Sequence, residues 1–335
     1  MNTELISICE RFIQNRDILK KFFSWENDHI HPVCASVFTE KGSVAENDLL
    51  AECHTLLKKR AKISSSFRGI SCPVVVSMLA TNGEPVKRLD NILLAYKSLR
   101  KFFSSGNYLP LAATILSGEA EDTAFDDTSE RARDIYKLMK KNHPFLTSEE
   151  DVVYALLFAL SADRNEDMII ETERLYVKLK EKFRSANAVQ ALSHVLTLCE
   201  GGAEEKCERA AALFDKLKEN NLKYGTDYEL ATLGVLAMIS AEADEIIADM
   251  KEVNDFLLTQ KGYGKFLGFG RNIRLMHAAM IVSAYRLGGT DTTASDAAMA
   301  VSSQMAVIAQ QTAMVAAQNA AICAIIASQA SYHHS

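Results

Sequence analysis

The sequence predicts an all-α protein, an α-solenoid of about six helical hairpins followed by an alanine-rich C-terminal helix. Three observations carry that expectation. The first is an internal repeat of about 39–40 residues, the length of one helical hairpin in stacked repeat proteins. Residues 145–161 align with 224–240 at an offset of 79, placing Thr147, Glu150 and Ser161 on Thr226, Glu229 and Ser240. Residues 105–117 align with 185–198 at nearly the same spacing. The second is composition: the chain is 48% hydrophobic and 24% charged, enough for a continuous core, and its five prolines are few for a β-rich chain. The third is an alternation of short segments apolar on every side with longer, charged, one-sided segments. A helix apolar all round has to be covered by neighbours on all sides.

In chain order, residues 4–22 read as an amphipathic helix with Leu5, Ile8, Cys9, Phe12 and Ile13 on one face. Hairpin units then run approximately 30–65, 66–103, 104–143, 144–183, 184–221 and 222–262, and a lone first helix follows at 271–286. The first helices (73–79, 109–116, 152–160, 189–198 and 230–239) are apolar on nearly every side. Second helices such as 129–141 carry a single stripe, here Ala132, Ile135, Tyr136 and Met139, and form an outer layer. Thr147-x-x-Glu150 and Thr226-x-x-Glu229 have the form of capping boxes at first-helix N-termini. Glycines at 69, 106 and 225 punctuate the junctions. The organisation is therefore an N-terminal capping helix (1–29), a repeat array (30–287), and a linker with an uncharged Ala/Gln/Met-rich helix (288–335). From Ala297 to Ser335 there is no Asp, Glu, Lys or Arg, and Val301, Ile308, Val315 and Ile322 recur every seven residues, a seam that needs a partner helix. The amides of Gln310, Gln311, Gln318 and Asn319 in its middle argue against a membrane span.

Net charge is −6, so bulk electrostatics give no reason to expect nucleic-acid binding. The acidic N-terminus has no long apolar core and is not a signal peptide, and seven cysteines without framework spacing fit a reduced, cytoplasmic setting. Second helices end in bases (Lys58, Lys59 and Arg60; Lys140 and Lys141; Lys216 and Lys218), while the turns inside the hairpins are acidic. Helix-end electrostatics account for that pattern, with a docking edge as the alternative. Between Thr55 and Ser105 ten cations face two acids, a local excess of +8 that reads as solvated helix ends.

The best candidate site is the loop 261–274. Gly262, Gly264, Gly268 and Gly270 alternate there with aromatics and four cations just before a helix, so backbone N–H groups can approach an anion closely. Tyr263, Lys265, Arg271 and Arg274 are its candidate ligand-binding residues. The loop is neither a P-loop nor a dinucleotide fingerprint, and a plain connector with aromatics tucked beneath it explains it as well. His29, His31, Cys34, Cys53 and His54 match no zinc template; His194 and His277 sit in apolar helices and read as satisfied core residues. No nucleophile or metalloprotease motif is present, so no catalytic residue, metal or cofactor is assigned.

The segments Tyr108-Leu-Pro-Leu-Ala-Ala and Phe145-Leu-Thr-Ser-Glu-Glu-Asp, the 262–270 loop running into Arg274-Leu-Met-His-Ala-Ala, and the Ala/Gln/Met tail together resemble a family of helical bacterial cytoplasmic proteins, mostly from Bacillota, that is known only as a domain of unknown function. The resemblance implies a bacterial cytoplasmic protein and supplies no functional residue. On the residues alone the leading expectation is a non-catalytic binding scaffold, with a protein partner or self-association through the C-terminal helix. The alternative is a protein, enzyme or not, that binds a phosphate- or nucleotide-type ligand through the 261–274 loop.

Overall fold

A computed structural model describes residues 2–61, 66–81, 83–264 and 268–288. The expected C-terminal helix and its heptad seam, most of the 288–335 segment, and Lys265 lie outside them. The described residues form fourteen α-helices and no strand. They are α1 (Thr3–Phe22), α2 (Ile30–Glu40), α3 (Asn47–Arg60), α4 (Cys72–Ala80), α5 (Pro85–Leu99), α6 (Leu109–Glu119), α7 (Phe125–Asn142), α8 (Asp151–Leu160), α9 (Asn165–Lys180), α10 (Ala186–Thr197), α11 (Ala203–Glu219), α12 (Leu230–Met238), α13 (Ala243–Thr259) and α14 (Arg271–Leu287). Four of the five prolines lie in first turns: Pro32 in α2, Pro73 in α4, Pro85 in α5 and Pro110 in α6. An N–H is not needed there and a fixed φ is an advantage. None of these helices is long and apolar enough to cross a membrane.

Even-numbered helices are the all-round apolar segments; every residue from Leu109 to Ser117 of α6 is buried. Odd-numbered helices bury one stripe, as Phe125, Ser129, Ala132, Ile135 and Met139 do in α7. The packing regroups the hairpins read from sequence. Each odd-numbered helix packs chiefly on the even-numbered helix that follows it: α1 on α2, α3 on α4, and so on to α13 on α14. The result is seven pairs, in which α1 holds the same place against α2 that α7 holds against α8.

The even-numbered helices also touch in succession: α2 with α4, α4 with α6, α6 with α8, α10 with α12, and α12 with α14. Side chains bridge α8 and α10, where the Tyr154 and His194 rings lie 4.8 Å apart. The circuit then returns to its start, because α14 packs against both α1 and α2. Asn2 donates to the Tyr285 hydroxyl at 2.6 Å across this seam.

Two sets of contacts repeat around the array. Arginines on outer helices bind the C-terminal carbonyls of the inner helix each one packs on, where helical carbonyls lack backbone partners. Arg88 of α5 donates to Ser117 and Thr114 at the end of α6, at 2.8 and 3.2 Å. Arg131 of α7 donates to Ala159 and Ser161 at the end of α8, at 3.1 and 2.6 Å. Arg209 of α11 donates to Ala237 and Ile239 at the end of α12, both at 3.0 Å. At α10 the fully buried Lys206 serves instead, donating to Leu196 and Cys199 and to Glu171 of α9. The second set joins neighbouring outer helices by ion pairs, including Arg60–Asp90, Lys101–Asp126, Lys182–Asp215 and Lys216–Asp244. In Lys101–Asp126 and Lys216–Asp244 a basic end seen in the sequence thus faces an acidic turn of the neighbour.

The capping boxes are not formed. α8 and α12 begin after Glu150 and Glu229, so both Thr-x-x-Glu segments precede their helices rather than opening them. Thr147 donates to the Met139 carbonyl of α7, and Asp151 accepts from the Ser148 N–H in place of a threonine cap. A capping box needs its threonine at the N-cap, and here the loop carries on for three more residues.

Candidate functional site

The seam where the circuit closes holds a cleft of about 850 Å³. Its walls come from the two ends of the array. Arg16, Asp17, Lys20 and Lys21 belong to α1; Asp28, His29 and His31 lead into α2; Lys261, Gly262, Gly268, Phe269 and Gly270 belong to the loop before α14.

Arg16 lies on the buried stripe of α1, between Phe12 and Leu19, and is 4% exposed. Its Nε and Nη2 donate to Asp17 Oδ1 at 2.9 and 2.6 Å, and its guanidinium sits 5.2 Å from the Tyr263 ring centre. Its Nη1 has no hydrogen-bond partner. His31 is 1% exposed, and its Nε2 bonds the Phe23 carbonyl at 3.1 Å. A carbonyl only accepts, so Nε2 carries the proton and, in the neutral ring, Nδ1 presents a lone pair. That Nδ1 is also without a hydrogen-bond partner, 3.7 Å from Asp28 Oδ1, and so is Nδ1 of His29. His29 packs edge-on to Phe269, with ring centres 5.0 Å apart. Burial lowers the pKa of both histidines and keeps the rings neutral; Asp28 opposes this in each.

Directly behind the cleft, Tyr263 and His277 are fully buried and share a 2.7 Å hydrogen bond between the phenol and Nδ1. Nε2 of His277 has no partner. Among the described residues six buried side-chain polar atoms lack partners; three belong to this cleft's lining, and a fourth is that of His277. Buried polar groups are almost always satisfied in native proteins, so their concentration at one place calls for an explanation.

Charge and backbone point the same way. Among the described residues the lining carries four cations and two carboxylates. Asp17 pairs with Arg16 and Asp28 with Lys20, leaving Lys21 and Lys261 without a carboxylate partner among the described residues. Two helix N-termini reach the cleft, α2 after His29 and α14 after Gly270. Neither has a side-chain cap or an acidic residue in its first turn, so both direct the positive end of a helix dipole at the cleft; α14 also presents free N–H groups, whereas in α2 the Ile30 N–H donates to the Asn27 carbonyl at 3.0 Å and Pro32 has none. The loop folds back on itself, with the Phe269 N–H donating to the Gly262 carbonyl at 2.8 Å. Gly268 has φ +141°, and a Cβ there would lie 2.0 Å from the Gly262 oxygen, so only glycine closes this loop.

The sequence-derived candidates are distributed as follows. Tyr263 is in the core, forming the floor beneath Arg16. Arg271 is exposed at the first position of α14. Arg274 is turned to α13, where its Nε donates to Asn254 at 3.0 Å. Lys265 lies outside the described residues. Arg16, Lys20, Lys21, His29 and His31, which complete the cleft, went unread as a site because they are some 230 residues from the loop. A signal was available: Leu5, Cys9, Phe12 and Leu19 mark the buried stripe of α1, and Arg16 falls on it. His194 and His277 are core residues as expected, but each keeps one nitrogen unsatisfied. Among the described residues no group of three or more His, Cys, Asp or Glu is placed to hold a metal ion. His54 stacks on Trp25, and Cys34 is buried with its thiol pushed up to about 12 by desolvation.

The family model described as "Protein of unknown function (DUF4003)" matches residues 15–313, and the chain belongs to that family. All the cleft residues lie within the matched span. Neither the curated proteins nor the solved structures give a significant match.

Proposed function

We propose that this member of the DUF4003 family binds a small anionic ligand in the seam cleft. The observation that carries the reading is the convergence there of unpartnered buried polar atoms on Arg16, His29 and His31. Two helix N-termini without side-chain caps and the cations Lys21 and Lys261, which have no carboxylate partner among the described residues, favour negative charge in the same space. The cleft volume falls within the range of small-molecule sites. A scaffold reading rests on opposed charged edges, and the ion pairs between neighbouring outer helices count against it by occupying them.

A thermal-shift panel of anionic, neutral and cationic metabolites tests this on the full chain. An anion at a hundredfold excess over its Kd adds about 2.7 kcal/mol to stability. That corresponds to an upward shift of roughly 4 °C for a protein of this size. The shift is expected for anions and should shrink when Lys21 and Lys261 are both changed to Ala. Stabilisation by neutral or cationic compounds alone, or by none of the panel, would overturn the proposal.

A further inference from the structure

Resting on that reading, we infer that the ligand's anchor is a phosphate group carrying one proton, as in hydrogen phosphate or a phosphomonoester monoanion, rather than a carboxylate or a fully ionised sulfate. The cleft offers hydrogen-bond donors and an acceptor together. Arg16 Nη1, Lys21, Lys261 and the amides opening α14 can only donate. His31 differs. Its Nε2–H is committed to the Phe23 carbonyl, so in the neutral ring its unpartnered Nδ1 can only accept.

A carboxylate or sulfate at neutral pH has acceptor oxygens alone and would face the His31 lone pair with a lone pair of its own. A phosphomonoester has a second pKa of about 6, and inorganic phosphate keeps at least one proton throughout the neutral range, so either can present both a P–OH that donates to Nδ1 and ionised oxygens that accept from the cations. If His31 takes the proton instead, the same proton is shared between ring and phosphate, and the balance is unchanged. Shape agrees. Donors come from α1, from the loop before α14 and from the start of α14 itself, and the acceptor comes from the start of α2, a spread that suits a tetrahedral anion better than a planar one. The charged groups around this proton are Arg16, Asp17, Lys20 and Lys21 on α1, Asp28 and His29 before α2, and Lys261 on the loop.

Isothermal titration calorimetry of the full chain, near pH 6.5, with inorganic phosphate, sulfate, acetate and glycerol phosphate tests the inference. Phosphate should bind at least tenfold more tightly than sulfate or acetate. The Lys21→Ala/Lys261→Ala variant, which alters only exposed side chains, should weaken phosphate and sulfate alike. His31→Phe should abolish the preference of phosphate over sulfate; if that variant is unfolded by circular dichroism, the phosphate-to-sulfate ratio of the native chain decides alone. Tighter binding of glycerol phosphate than of inorganic phosphate assigns a phosphomonoester, and the reverse assigns free phosphate. Equal affinity for sulfate and phosphate, or binding of acetate alone, overturns the protonated-phosphate inference and leaves anionic-ligand binding standing. No binding of any of the four overturns it as well, while the metabolite panel then decides the broader proposal separately.

Discussion

A single arginine on an apolar stripe does most to define the candidate cleft. Arg16 is desolvated, held by Asp17 on one side and the face of Tyr263 beneath, and still has a donor to spare. His277 under the same floor gives a titration test. Burial, then the charges of His29 and Arg16, depress its pKa to about 3. A depressed histidine stays neutral in the native state while the unfolded chain takes up a proton below its ordinary value near 6.5. Its contribution to stability is therefore intact above that pH and is lost as pH falls, by about 1.4 kcal/mol per pH unit. His194 is depressed in the same way, but Asp151, 3.5 Å away and pushed up to about 8 by burial, holds its proton in the native state and has the opposite slope. The net acid sensitivity of these three falls mainly to His277. Denaturant melts from pH 7 to 5 should show His277→Gln losing stability less steeply than the native chain, by about one proton's worth below pH 6. Parallel curves would mean that His277 is already charged when folded.

Helices and their ends were largely legible in the sequence, because their cause is local. Runs such as Val152–Leu160 are apolar on all sides and became buried inner helices, and prolines at the first turns fixed several N-termini. The capping boxes misled because the same four residues can sit in a loop, where Thr147 turns back to α7 instead. The arginine contacts at inner-helix C-termini were hidden for a different reason. Arg88, Arg131 and Arg209 look like ordinary exposed cations until the inner-helix carbonyls are placed beside them. Changing Arg131 to Met keeps much of the packing stem and leaves the carbonyls at the end of α8 unmet, costing about 1–3 kcal/mol. In a chain of this length, that lowers Tm by about 1–4 °C, at about 1.4 °C per kcal/mol. Arg164→Ala on the exposed surface, whose contacts at 3.9 Å are loose, should leave Tm nearly unchanged. Equal effects from the two variants would remove the case for carbonyl capping.

At the scale of the whole molecule, the fold joins the two ends of an array of helix pairs into a circuit, and the candidate cleft lies on the joint. Nothing periodic in the sequence announces this, because repetition specifies contacts between neighbours and is silent on how the first unit meets the last. The 261–274 loop was recognised as a candidate, whereas its other wall, on α1 and before α2, depended on closure. Lys261 and the pair Lys20 and Lys21 line that one cleft from opposite ends of the array. The direct measurement is amine cross-linking of the full chain with a short bifunctional reagent, followed by mass spectrometry of the monomeric fraction. Closure predicts an intramolecular link from Lys261 to Lys20 or Lys21, reduced when phosphate is added. Absence of that link, while lysines on neighbouring outer helices cross-link readily, would contradict a closed array and with it the site at its seam.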